Sequence, residues 1–245
     1  MTSIQRPGER LIYSIPNIRA VAPRTSGAVS VTWATVFATT GNISHGSDGA
    51  IDDFSANAFT WEMWAKLDLT ATSALMSKGP GTSLSFYYSL AGEVRGLIFC
   101  AGTNAYSRIG SAVHGLTTGW HHIAFYYNNA GDRKVYAAFD GTWASAYVGQ
   151  TAGDGNVVSD AAQTFLVADG AKKMTGSVGW YRLSNNDRYS HTTNFTPTAQ
   201  ASPPATDGNT ILLVHMDEGA GVTVDNETGA AALDGTILNG TWQAQ

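Results

Sequence analysis

Short segments of this chain alternate apolar and polar side chains with a period of two, the pattern of half-buried strands. In FTWEMWAKLD, residues 59–68, Phe59, Trp61, Met63 and Leu67 fall on one face and Thr60, Glu62, Trp64 and Lys66 on the other. In SLSFYYSL, residues 83–90, the apolar set is Leu84, Phe86, Tyr88 and Leu90, which leaves Tyr87 among serines as an exposed aromatic. Residues 122–141, HIAFYYNNAGDRKVYAAFDG, read as two strands joined by a loop centred on Gly131 and closed by Asp140-Gly141. Ile123, Phe125 and Tyr127 share a face with Val135, Ala137 and Phe139, whereas His122, Ala124 and Tyr126 lie with Lys134, Tyr136 and Ala138. That second face is aromatic and half polar, as a sheet is where it lines a concavity or an interface.

Turn dipeptides punctuate the chain at short intervals: Asp48-Gly49, Asp140-Gly141, Asp154-Gly155, Asp169-Gly170, Asp207-Gly208, Asp234-Gly235 and Asn239-Gly240. Between them lie segments rich in Val, Ile, Thr, Tyr, Phe and Trp, and no long stretch has a helical period. An all-β sandwich or barrel is predicted. A Pro-punctuated N-terminal arm over 1–25 precedes one domain over 26–245. Within it, residues 187–210 form a surface connection, excluded from a central strand by Pro197, Pro203 and Pro204.

Composition narrows the function classes. The 245 residues carry a net charge of −5 and only 13% charged side chains, with no basic run longer than Lys172-Lys173. Nothing supplies the positive patch that phosphate neutralisation requires, so nucleic acid is not expected as a partner. The one cysteine, Cys100 in GLIFCAG, reads as a small buried hydrophobe. Charges and prolines interrupt the N-terminus where a signal peptide needs an apolar run, and no stretch is long enough to span a bilayer.

The most unusual stretch is GWHHIAFYYN, residues 119–128. Strand alternation sends His121 and His122 to opposite faces, so the pair neither chelates one ion nor acts as one dyad. Glycoside hydrolysis needs a pair of carboxylates that flank the scissile bond. Here Glu62 is followed by nothing acidic until Asp68, and the couplets Asp52-Asp53 and Asp217-Glu218 project to opposite sides. No nucleophile elbow or zinc-protease helix is present, so no catalytic residue is assigned.

Four blocks taken together, FTWEMWAKLD, ALMSKG, GLTTGWHHIAFYYNNAGDRKVYAAFDG and MTGSVGWYRLSNN, resemble the successive strand motifs of laminin-G-like domains in the concanavalin A-like lectin/glucanase superfamily. The resemblance covers about half the chain, residues 59–186. It implies an all-β, concanavalin A-like jelly-roll sandwich of two antiparallel sheets, in which Trp120 and His122 serve packing and hydrogen bonding in a central strand. The C-terminal LLVHMDEGAGVTVDNETGAAALDGTILNGTWQ is similar to the segment that usually begins such a domain. Either the domain is circularly permuted, with residues 211–245 completing the sandwich beside GAVSVTWATVFAT, or the tail docks on a neighbour.

The resemblance also implies calcium as the one cofactor to test, with Asp217 and Asp225 as candidate ligands in a loop of hard oxygens. Glycan contact is expected from exposed aromatics that stack on sugar faces, with Tyr87, Tyr126, Tyr136 and Trp143 as candidates. Two non-enzymatic functions follow. One is a structural or adhesive virion component, such as a phage capsid decoration, tail or fibre protein, which assembles with other virion proteins or copies of itself. The other is an extracellular carbohydrate-binding module lacking a recognisable signal peptide. A glycoside hydrolase ranks behind both.

Overall fold

In the computed structural model the chain divides into two units, Met1–Ser30 and Val31–Gln245. The structure describes residues 33–54, 58–78, 83–160, 165–166 and 173–245, all in the second unit. The arm expected over 1–25 lies outside the described residues. In chain order the first strands are β1 (Trp33–His45), β2 (Ala58–Leu67), β3 (Ser73–Lys78), β4 (Leu84–Ser89) and β5 (Glu93–Ile98). There follow β6 (Ala105–Gly110), β7 (Trp120–Asn128), β8 (Tyr136–Phe139), β9 (Thr142–Trp143) and β10 (Gly149–Thr151). The last are β11 (Phe165–Leu166), β12 (Met174–Ser184), β13 (Thr210–Val214), β14 (Thr223–Val224) and β15 (Gly235–Ala244). Two single-turn helices, α1 (Gly49–Asp52) and α2 (Ser111–His114), interrupt them.

All pairings are antiparallel, in the order β10-β6-β5-β4-β3-β11-β1-β12-β2-β7-β8-β9, with β13 beside β12 and β15 beside β1. This ladder folds over at β1, so that β12, β2, β7, β8 and β9 form one sheet and β3, β4, β5, β6 and β10 the facing one. The phenyl rings of Phe86 on β4 and Phe125 on β7 stack across the gap at 4.1 Å and 2°. The register of β1 shifts between Phe37 and Gly41 against β12, and between Phe37 and Asn42 against β15. The ring of Phe37 lies where a Cβ at position 41 would be, 1.8 Å away, so only glycine allows that bulge.

The inward faces are those the alternation predicted. Phe59, Trp61, Met63, Leu84, Phe86, Ile123, Phe125, Tyr127 and Ala137 are all buried in one core. Burying each large side chain contributes roughly 1.5–3 kcal/mol, and together they hold the sheets against each other. Leu90 departs from the expectation. The strand ends at Ser89, whose carbonyl accepts the Gly92 N–H at 2.9 Å, and Leu90 in that turn is 66% exposed. At the C-terminus, β15 pairs with β1 of the same chain from Trp33↔Ala244 to His45↔Gly235. The tail thus completes its own sandwich.

The surface connection expected over 187–210 also serves as a covering layer. Residues 185–209 enter no strand and cross the outer face of the β12-β2-β7-β8-β9 sheet. Three indole N–H groups on that face donate to main-chain carbonyls of this strap: Trp64 to Thr198 at 2.9 Å, Trp143 to Thr193 at 3.1 Å and Trp180 to Ala199 at 3.2 Å. The Phe195 N–H donates to the Gly141 carbonyl at 2.9 Å, and the Phe195 ring stacks on Tyr189 at 3.7 Å. Main-chain carbonyls must find donors once buried, and the tryptophans supply them.

Candidate functional site: two outer faces, one sealed and one open

The sealed face is organised by a buried carboxylate. On β2, Glu62 pairs in register with Arg182 on β12 and Ala124 on β7, and its side chain is fully buried. Arg182 Nε donates to Glu62 Oε1 at 2.5 Å, while Oε2 meets His122 Nε2 at 3.0 Å and accepts from the Tyr189 hydroxyl of the strap. Burial alone would push the carboxyl up. The His122 hydrogen bond and the Arg182 charge outweigh it and hold the pKa below its usual value. His122 is boxed by Trp64, Trp180, Tyr189 and Phe195, with ring centroids 5.7 to 6.3 Å away. Both carboxylate oxygens are engaged and water is excluded, so the group ties three strands and the strap together and meets no substrate.

The adjacent His121 belongs to a different set of partners. Its Nε2 accepts from the Thr117 N–H at 3.0 Å, which puts the proton on Nδ1, facing Asp140 Oδ2 at 2.7 Å. Trp120 is half-buried and donates to the Gln245 side chain at 3.1 Å.

Among the described residues, no strap covers the facing sheet. On the outer side of β4, β5, β6 and β10, one cross-strand row runs Tyr87↔Arg95↔Arg108↔Gly149 and the next Ser85↔Leu97↔Tyr106↔Thr151. Tyr87, Arg95, Tyr106 and Arg108 are all half-exposed. Glu93 organises them. Arg95 donates to Glu93 Oε2 through Nε at 2.9 Å and Nη2 at 2.7 Å, and Arg108 Nη2 lies 3.3 Å from Oε1. The Arg95 guanidinium also sits over the Tyr87 ring at 5.9 Å. Partial burial pushes the Tyr106 hydroxyl above its usual pKa, opposed by the nearby Arg95 and Arg108 charges. The face therefore offers two phenol rings beside fixed hydrogen-bond donors and one acceptor.

No family model matches this chain, and no curated protein matches it in sequence. Solved structures do match in shape. One is from Bacteroides ovatus, a protein assigned to carbohydrate binding: 18% identity and a TM-score of 0.60 over 88% of this chain and 60% of that one. This chain thus spans less than two thirds of that protein. A heptameric SAP-like pentraxin from Limulus polyphemus superposes with a TM-score of 0.45 and 12% identity, over 68% of this chain and 82% of that one. The mouse laminin α1 chain, domains LG4-5, gives 0.48 and 9%, over 81% and 50%. The chain is a concanavalin A-like jelly-roll sandwich. At such identity the likeness fixes the fold and leaves the ligand to the sites.

Within this concanavalin A-like frame the four aromatic candidates divide. Tyr126, Tyr136 and Trp143 share the strapped face, and Tyr87 lies on the open one. Two of the three on the strapped face are not exposed, contrary to expectation. Tyr126 is 3% exposed because the His191 ring of the strap stacks on it at 4.4 Å and 14°, and Trp143 is 9% exposed beneath Thr193 and Phe195. Tyr136 is half-buried, with its hydroxyl donating to Asp132 and its pKa raised by burial and by that carboxylate. Tyr87 is half-exposed. Sequence reasoning missed Glu93, Arg95, Tyr106 and Arg108, although the alternation in GEVRGLI and NAYSRIG carries the signal: Val94, Ile98 and Ile109 point inward, and the charged residues outward.

Asp217 and Asp225 flank Glu218 in one acidic loop. Glu218 Oε1 accepts the Asp225 N–H at 2.7 Å, and burial together with the two neighbouring charges pushes its pKa up. Calcium takes six to eight oxygens. Among the described residues no group of three His, Cys, Asp or Glu side chains is placed to hold a metal ion. At the end of the sandwich, a cleft of about 230 Å³ between α1, Asn185 and Ile211 is floored by Phe54 and Phe59. It is smaller than the roughly 300–1,000 Å³ of most ligand pockets.

Proposed function

We propose that the chain is a non-catalytic carbohydrate-binding β-sandwich that takes a sugar on the open face of β4, β5, β6 and β10. The observation that carries this reading is the half-exposed set Tyr87, Arg95, Tyr106 and Arg108, gathered around Glu93 on a sheet whose other side is fully packed. A pyranose has an apolar C–H face and a rim of hydroxyls. Phenol rings suit the first, and a guanidinium-carboxylate lattice suits the second. Backing from a packed sheet keeps those groups in place and lowers the entropy lost on binding. The likeness to the Bacteroides ovatus protein supports the same reading. It favours a binding module over the virion component first expected.

Stacking contributes about 0.5–1.5 kcal/mol per ring and a charge-assisted hydrogen bond about 1.5–3 kcal/mol, against a rigid-body cost of at least about 4 kcal/mol. One site is therefore weak, with Kd near the millimolar range, and a multivalent display is needed to see it. The test is a glycan array probed with the chain displayed as a tetramer. Signal is expected for the wild type and its loss for Tyr87→Ala and Tyr106→Ala, with melting temperatures nearly unchanged. A blank array, or full signal from both variants, refutes the reading.

A further inference from the structure

We infer that the open face selects a sugar bearing a single anionic group, a carboxylate or a sulfate ester, which Arg108 holds over Gly149. This rests on the carbohydrate reading and sharpens it. The two arginines of the row differ in how far they are satisfied. Arg95 spends Nε and Nη2 on Glu93, and its Nη1 lies 3.5 Å from the Tyr87 hydroxyl. Arg108 has one contact with the same carboxylate, at 3.3 Å, and its Nε finds no hydrogen-bond acceptor. One carboxylate thus serves two guanidiniums, and the face keeps an unbalanced positive charge at Arg108. Its side chain is 36% exposed, the most open of the three.

Space for the ligand lies next to it. Arg108 pairs with Gly149 on the edge strand β10, and a Cβ built at position 149 would meet nothing within 4 Å. The row therefore ends in open space at Gly149, the cross-strand neighbour of Arg108. Tyr106 is two residues from Arg108 on the same strand face, so a ring stacked there directs a substituent toward the guanidinium. The planar fork of arginine matches both carboxylate and sulfate oxygens. Size of charge also matters. The chain as a whole carries −5, which repels a dense polyanion at long range but costs one screened anion little.

The experiment compares the full chain with three multivalent oligosaccharide probes of one backbone: neutral, with one terminal uronate, and with one sulfate ester. Wild type is expected to prefer at least one anionic probe over the neutral one by about tenfold, and the preferred probe names the source of the charge. Arg108→Gln should bring that preference close to one. Gly149→Leu, which fills open space beside the guanidinium, should do the same. Equal binding of all three probes by the wild type, or a preference that survives both substitutions, overturns the anionic selection and leaves the carbohydrate reading standing. Absence of binding to every probe removes the carbohydrate reading itself.

Discussion

His45 makes the stability of this sandwich depend on pH in a window that can be worked out. It sits near the end of β1 at 1% exposure, with Nδ1 2.7 Å from the Leu233 carbonyl and Nε2 2.7 Å from the Tyr181 hydroxyl. A carbonyl only accepts, so Nδ1 carries the proton, Nε2 is the acceptor, and Tyr181 donates to it. A second proton would place a charge in the core and oppose the tyrosine donor. Burial accordingly lowers the pKa from 6.5 to about 4, with the Leu233 bond and the Asp234 charge offsetting part of the shift. Above pH 6.5 both folded and unfolded chains are neutral at this residue. Between 6.5 and 4 only the unfolded chain takes the proton, so stability falls as the pH falls. At about 1.4 kcal/mol per pH unit, the loss approaches about 3 kcal/mol by pH 4. Glu62, whose pKa is lowered from 4.5, begins to lose its contribution at the acid end of this window, and comparison with a variant that lacks only the imidazole removes that common loss. The assay is urea unfolding at pH 7, 6, 5 and 4 for the wild type and for His45→Gln, whose amide can serve the same two partners without titrating. The wild type should lose about 3 kcal/mol more than the variant across the series. Parallel curves would show that His45 takes its proton in the folded state at an ordinary pKa, and the argument would fail.

Two further substitutions test the strapped face. Glu62→Gln leaves Arg182 buried without its counter-charge and should cost about 3 kcal/mol or more in chemical unfolding, with much of the loss recovered in the Glu62→Gln/Arg182→Met pair; a cost below about 1 kcal/mol would mean that the carboxylate is not the node described. Gly141→Ala places a Cβ 1.9 Å from the Phe195 carbonyl oxygen at a residue with φ +82°, so it should lift the strap, redden tryptophan emission and expose residues 185–209 to protease. Unchanged emission and cleavage would show the strap to be held elsewhere.

Much of this could be read from the chain. Period-two alternation placed Phe59, Trp61, Met63, Phe86, Ile123 and Phe125 in the core, because a pleated strand sends neighbours to opposite sides whatever surrounds it. The same local rule separated His121 from His122 and left Tyr87 outward on β4. It also marked the second face of β7 and β8 as aromatic and half polar. Local rules stop there. Whether an outward face meets solvent or another layer depends on chain many residues away, and no periodicity signals residues 185–209, which form no strand.

The strap accounts for the departures. It turned Tyr126 and Trp143 from expected ligand contacts into packed residues, and it gave Glu62 and His122 a half-buried partner in Tyr189, more than sixty residues downstream of either. Assembly likewise made a site of residues that are unremarkable one by one: Glu93, Arg95, Tyr106 and Arg108 meet only because β5 and β6 pair in one register. Which face each side chain takes follows from the backbone repeat and is written locally. What lies over that face follows from long-range packing, where the free energy of covering tryptophans and a buried charge selects one arrangement of the whole chain.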